Sequence, residues 1–228
     1  MPSQSEKSFG ARLLRANNLL GYMGNFAGYT PPRAEEEVAN FGTLLQSITA
    51  ANAAETGLRQ NYNTAVSLRH DAFRNNAVSV FKLLAPIRAA VEAQYGKESL
   101  EFGQIDSIVK HIRSSKLIHK EATETTPEIT ISKTEQSYGS STQYFNNLIN
   151  TLAQLPTYNP SNARVQVATL QAFATQLDGL NMQVATTYQA LRSSKAARND
   201  FYTDLSKRVL RIKADVKSYY GVKSQAYT

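Results

Sequence analysis

Residues 29–45 read "YTPPRAEEEVANFGTLL" and residues 158–174 read "YNPSNARVQVATLQAFA". Each begins with Tyr, places Pro one or two residues on, and continues into a run whose apolar residues fall three or four apart. Proline lacks an N–H that the first helical turn would leave unpaired anyway, so both stretches mark the start of a helix. Asn159 or Ser161 supplies a capping side chain in the second. Hardly any charged position agrees between the two stretches. The shared pattern therefore belongs to the scaffold, and the charge does not.

The agreement reaches well beyond these stretches. Asn17-Asn18-Leu19-Leu20 matches Asn146-Asn147-Leu148-Ile149 at a separation of 129, which also carries Tyr29 onto Tyr158, Val38 onto Val167 and Phe41 onto Leu170. Further on, Ile87 meets Ile212, Val91 meets Val216 and "YGKES" (95–99) meets "YGVKS" (220–224), now at a separation of 125. These ordered matches predict a tandem duplication of a unit of about 85–90 residues. Three segments follow: a first helical unit, 1–97; a connecting helix with an extended polar crossover, 98–141; and a second helical unit, 142–228, packed with the first into one body.

Periodicity gives the fold class. Apolar or small residues recur at Val38, Phe41, Leu45, Ile48, Ala51, Ala54, Leu58, Tyr62 and Ala65, and again at Phe73, Ala77, Phe81, Leu84, Ile87 and Val91. Nearly all steps are three or four, the signature of one helical face. The second copy repeats the stripe through Leu170, Leu177, Leu180, Val184, Leu205, Val209, Ile212 and Val216. Gly96 and Gly221 stand where such helices stop, because glycine takes the left-handed conformation after a last turn without strain. The expectation is an all-α, elongated helical bundle with long helices and coiled-coil-like packing, in which Leu45, Phe81, Leu84, Leu177, Leu205, Val209 and Ile212 are largely buried.

The change in separation means that the first copy has four residues the second lacks, placed by the matches between about Ala50 and Val66. Four residues are about one helical turn, which a continuous helix absorbs with little rotation of its face. Continuous or gently kinked helices are therefore expected rather than hairpins, with a kink at Pro86, and Asp178-Gly179 as the one turn signature in the second copy. Shorter helices are expected over 8–26, 142–155 and 98–115, the last with Phe102, Ile105, Ile108 and Ile112 near one face. No counterpart of this last helix is expected in the second unit. Between the units, Ile129-Thr130-Ile131-Ser132 alternates like a strand but finds no evident sheet to join, so an extended polar crossover ordered by contact is expected.

Catalytic chemistry finds little support. The chain has no Cys and only three His: His70, His111 and His119. None has a neighbour at metal-ligand spacing, and the Glu-x-x-His spacing by which helical bundles hold metals occurs nowhere. Gly21, Gly24 and Gly28 follow no strand and precede no Lys-Ser or Lys-Thr, so they form no phosphate loop. Glu35-Glu36-Glu37 opens a helix, where the helix field alone favours acids. No enzyme, cofactor or metal is expected. With mean hydropathy −0.38, no apolar run of about 18 residues and no secretory pattern at the start, a cytoplasmic protein without membrane insertion is expected.

Charge carries the remaining information. The net charge is +7, and it concentrates near the C-terminal end, where Arg192, Lys195, Arg198, Lys207, Arg208, Arg211, Lys213, Lys217 and Lys223 face only Asp200, Asp204 and Asp215. The matching stretch of the first copy, 66–103, is nearly balanced, so the shared scaffold does not require the excess. Either this is a solvated helix face, or it is a basic ridge that meets phosphates or an acidic protein surface. Among the 12 tyrosines, Tyr29, Tyr95, Tyr158, Tyr219 and Tyr220 fall at the helix ends, where a ring with a hydroxyl suits a protein interface. The expected function is a non-enzymatic structural or self-assembly protein whose likeliest partner class is its own kind, as a homo-oligomer or polymer. The alternatives are nucleic-acid or ribonucleoprotein binding through the basic helix 191–223, and an adaptor for another protein.

Overall fold

The computed structural model describes residues 8–26, 28–113, 117–120, 129–132 and 138–222. The fold is helical. Its α-helices are α1 (Phe9–Met23), α2 (Val38–His70), α3 (Val80–Tyr95), α4 (Leu100–Arg113), α5 (Tyr138–Gln154) and α6 (Val167–Tyr220). Two four-residue strands, β1 (Leu117–Lys120) and β2 (Ile129–Ser132), pair antiparallel with Leu117 opposite Ser132 and Lys120 opposite Ile129. Residues 129–132 are thus a strand with a partner in 117–120, correcting the expectation of an unpaired crossover. The rest of 114–137 lies outside the described residues, as does the prediction that the whole segment is ordered by contact.

The helix boundaries follow local chemistry. Ser8 caps α1 by accepting from the Ala11 N–H at 3.2 Å, and Ser99 caps α4 by accepting from the Phe102 N–H at 3.1 Å. Short 3₁₀ turns at Ala34–Glu36 and Ala163–Val165 lead into α2 and α6, 129 residues apart like the Tyr-Pro stretches. Gly96 (φ 88°) ends α3 and Gly221 (φ 81°) follows α6. Asp178-Gly179 lies inside α6 and turns nothing.

Continuity of the two long tracts differs. α6 runs for 54 residues. The first tract instead ends its helix in a π turn, Asp71–Asn75, and resumes at Val80 after a break over 76–79. The expected single helix is therefore two. Aromatic contacts locate the cause. Phe9 packs on Tyr202 with ring centroids 4.5 Å apart and the Arg198 guanidinium 4.4 Å over Phe9. Tyr138 packs on Phe73 at 5.0 Å with Arg69 4.0 Å over Tyr138. These triplets are 129 apart in every member, whereas Val80 and Leu205, both buried, are 125 apart. The separation between matching positions therefore changes between Phe73 and Val80, at the break, and not between Ala50 and Val66. Apolar periodicity across the small residues of 50–66 could not fix a register that the large rings do.

Contact divides the molecule into two compact units: unit 1 is Met1–Tyr62 with Thr187–Thr228, and unit 2 is Asn63–Thr186. These are groupings in space, distinct from the lengths of chain 1–97 and 142–228, since α2 and α6 each contribute to both. Unit 1 has a core of Met23, Phe41, Leu45, Ile48, Tyr202, Leu205, Ile212 and Val216. Unit 2 packs Phe73, Leu84, Ile87, Ile105, Phe145, Leu148, Leu170 and Leu177. Each fully buried aliphatic or aromatic side chain contributes about 1.5–3 kcal/mol, which makes these clusters the main stabilising element of each unit. Of the seven residues expected inside, Leu45, Leu84, Leu177, Leu205 and Ile212 are buried, while Phe81 and Val209 are only half-buried. At the middle of α2 the stripe also shifts: Ala54 is exposed and Glu55 is buried instead.

Candidate functional site

In unit 1, the acidic turn before α2 meets the basic end of α6. Glu36 is buried and its Oε1 accepts from Arg211 Nε, while Arg211 Nη2 lies 4.0 Å from Glu35 Oε2. Arg208 donates to the Glu35 carbonyl at 2.8 Å and pairs with Asp204 at 2.8 Å. Arg198 binds Glu55 Oε2 at 2.9 Å, and Arg59 holds the other oxygen of that buried carboxylate at 2.5 Å. Three of the arginines counted in the basic excess thus neutralise carboxylates of their own unit. The acid at position 36 is part of the packing rather than a helix-end charge alone. Arg192, Lys207, Lys213 and Lys217 remain exposed and Lys195 half-buried.

The five tyrosines separate into two kinds. Tyr29 and Tyr158 are half-buried, and burial pushes both phenols up to about 12. The charges of Asp215 and Glu36 add to the effect at Tyr29. Tyr158 donates to the Val165 carbonyl at 3.0 Å. The Tyr29 hydroxyl is buried without a hydrogen-bond partner among the described residues. Tyr95 donates to the Pro156 carbonyl and fastens the loop after α5, with Gln94 donating to the Thr157 carbonyl at 2.5 Å. These three serve their own units. Tyr220 packs at 4.7 Å on Tyr219 and at 5.8 Å on Phe26, and Tyr219 is 66% exposed. Only Tyr219 presents a broad free face.

A cleft of about 490 Å³ runs between α1 and the end of α6 in unit 1. Arg12, Arg15 and Lys213 line it together with Leu19, Tyr22 and Val209, and among the described residues no acidic side chain does. Arg12 is anchored there, donating to the Tyr202 carbonyl at 2.8 Å and the Ser206 hydroxyl at 2.6 Å. Sequence reasoning singled out Lys213 but missed Arg12 and Arg15, because two arginines on a short helix are an ordinary solvated pair and join Lys213 only through folding.

His70 and His111 have bland settings, and the side chain of His119 lies outside the described residues. His70 stands 3.7 Å from Asp71, and His111 stacks on Tyr144. Among the described residues there is no group of three or more His, Cys, Asp or Glu placed to hold a metal, and no helix is long and apolar enough to cross a membrane. No protein-family model, curated protein or solved structure matches the chain.

Proposed function

We propose that this chain is a non-enzymatic structural protein, built from a duplicated helical unit with coiled-coil-like pairing of its long helices, that works by forming protein–protein interfaces through unit 1 and assembles with its own kind. The observation that carries this reading is the exposure of large apolar side chains on α1 and the end of α6: Leu14 63%, Tyr22 64%, Leu210 69% and Tyr219 66%. An exposed leucine alone means little, but several large exposed apolar side chains on two helices of one unit, beside a cleft, give that unit apolar surface with which to form interfaces. The duplication is supported by the paired 3₁₀ turns and ring triplets 129 residues apart. It is supported further by Gly28 (φ 72°) and Thr157 (φ 63°), also 129 apart, which share the left-handed conformation that a threonine rarely adopts.

Light scattering over a range of concentrations tests the proposal. Growth beyond the 25.2 kDa monomer, reduced by Leu210→Asp with Tyr219→Asp, is the expected result, since an interface of roughly 1,000 Å² or more needs such anchors. A monomer at every concentration defeats self-assembly. The nucleic-acid reading has less support, because Arg198, Arg208 and Arg211 are engaged inside unit 1. On that reading the protein stays monomeric and binds nucleic acid with steeply salt-dependent affinity that Arg192→Glu, Lys207→Glu and Lys217→Glu remove.

A further inference from the structure

We infer that the cleft of unit 1 is a helix seat that takes an acidic amphipathic helix from a partner protein. The inference rests on the duplication and on the reading of unit 1 as a protein–protein interface, and it gives this cleft an occupant other than a second copy.

Unit 2 supplies the template. There α4 packs against both α3 and α5. Its Asp106 reaches Arg88 at 2.6 Å, its His111 stacks on Tyr144 with the rings 6° from parallel, and its apolar side presents Phe102, Ile105, Val109 and Ile112 to the core. Shifted by 129 on α5 and 125 on α3, the seat of α4 becomes the cleft between α1 and α6: Tyr144 corresponds to Arg15, Leu148 to Leu19, Leu84 to Val209 and Arg88 to Lys213. Leu84 and Leu148 are completely buried in unit 2, whereas Leu19 and Val209 are only half-buried. Among the described residues no helix fills the place in unit 1 that α4 fills in unit 2. A floor of two aliphatic residues with Tyr22 on one side is what a helix laid into a groove buries.

Charge selects the occupant. Lys213 stands where Arg88 receives Asp106, so a carboxylate is wanted at that point of the guest helix. Arg15 stands where Tyr144 receives His111, and adds positive charge about one and a half turns on. Arg12 adds a third positive group, and no acid among the described residues lines the cleft. The α4 helix of a second copy is a poor guest, because it carries Lys110, His111 and Arg113 in its last turn and already belongs to the core of its own unit. An oligonucleotide would leave the apolar floor unused.

The test uses the full chain and a fluorescent peptide with the Leu100–Arg113 sequence bearing Lys110→Gln and His111→Glu, followed by anisotropy, with light scattering on the same samples. Saturable binding with Kd below about 100 μM is expected. Arg15→Glu with Lys213→Glu should weaken it at least about tenfold while leaving the helical circular dichroism unchanged, as both side chains are exposed. A peptide bearing Asp106→Lys and His111→Lys should bind that double variant in preference to the wild type. Val209→Phe, which fills the floor without altering charge, should also block the first peptide. Absence of saturable binding, or binding indifferent to the charge reversal, overturns the inference. Self-association that the peptide displaces makes the occupant a second copy and overturns the choice of partner. Binding of a single-stranded oligonucleotide, lost on the charge reversal and without peptide binding, overturns it too. Peptide binding to a protein that stays monomeric upholds the seat while self-assembly fails. Self-association without peptide binding does the reverse.

Discussion

Replacing Arg211 with Met isolates Glu36, one of the two carboxylates that unit 1 buries among the described residues. Glu36 is 2% exposed, and Arg211 is the cation bonded to it. Removing one partner of a buried ion pair costs about 3–5 kcal/mol, because the remaining charge has neither water nor a counter-ion. The Arg211 side chain is itself 37% exposed, so water screens part of the interaction and the lower end applies, about 3 kcal/mol. For a chain of this length that corresponds to a fall in Tm of about 6–12 °C. The informative comparison is the double variant Glu36→Val with Arg211→Met. Position 165, which stands 129 residues from Glu36, holds a buried Val, and Pro86, 125 residues before Arg211, faces no acid there. An apolar pair is therefore compatible with this local backbone, and the double variant should lie within about 1 kcal/mol of the wild type. Urea unfolding of the four proteins gives the coupling directly, expected at about 2 kcal/mol or more. A single variant that loses under about 1 kcal/mol, or a double variant as unstable as the single, would refute the claim that the pair's worth lies in not leaving Glu36 alone.

Other consequences are open to measurement. The Lys110 hydrogen bond and the Arg88 charge hold Asp106 below its ordinary value of 3.8, so the stability it provides is present above 3.8 and lost as pH falls through the lower folded value; the difference between wild type and Asp106→Asn in acid unfolding should vanish there. Spectrophotometric titration should find two phenols, Tyr29 and Tyr158, ionising at about 12, and the stability they carry is intact below 10 and lost as pH rises toward 12. Gly28→Ala should cost about 1–2 kcal/mol because φ there is positive. Thr157→Gly should be neutral or stabilise by up to about 1 kcal/mol, the relief of its backbone offsetting the weaker hold of Gln94; thermal unfolding of the two variants checks both signs.

Residues that bury large side chains were legible in the sequence; those that depend on distant partners were not. The three- and four-residue steps through Phe41, Leu45 and Ile48, and through Leu84, Ile87 and Val91, fix helix faces by period alone, and all six are buried. The break at 76–79 was hidden because the residues before it, Asp71-Ala72-Phe73-Arg74-Asn75, are good enough helix formers to continue a pattern, and the π turn they adopt leaves no mark in composition. Glu36 read as a helix-end charge and Glu55 drew no notice, because the arginines that reach them across the unit, Arg211 and Arg198, lie far along the chain. The same distance hid the cleft. Arg12 and Arg15 look like ordinary solvated residues of a short helix until α6 brings Lys213 beside them.

On the duplicated reading, the differences between matched positions run in one direction. Glu36 answers to Val165, Glu55 to Val184 and Arg15 to Tyr144, so unit 1 places charge where unit 2 places an apolar or aromatic group. Glu36, Val165, Glu55 and Val184 are all buried, and a buried ion pair gives little net stability over a well-packed apolar pair. Stability therefore does not explain the charged version. A buried carboxylate bound by a specific arginine does fix the registry of the helices that carry the pair, because a slip of one residue leaves the charge unpaired. In unit 1 those helices are the start of α2 and the end of α6, and α6 also forms one wall of the cleft. Unit 2 has α4 laid across its two helices to hold them in place, and unit 1 has its ion pairs. A groove that must stay open for a guest needs its walls fixed from behind. Loosening Glu36–Arg211 should accordingly weaken peptide binding in the cleft even though neither residue lines it, and the apolar double variant should restore stability without fully restoring affinity. Equal recovery of both would show that the pair acts on the cleft only through the stability of the unit.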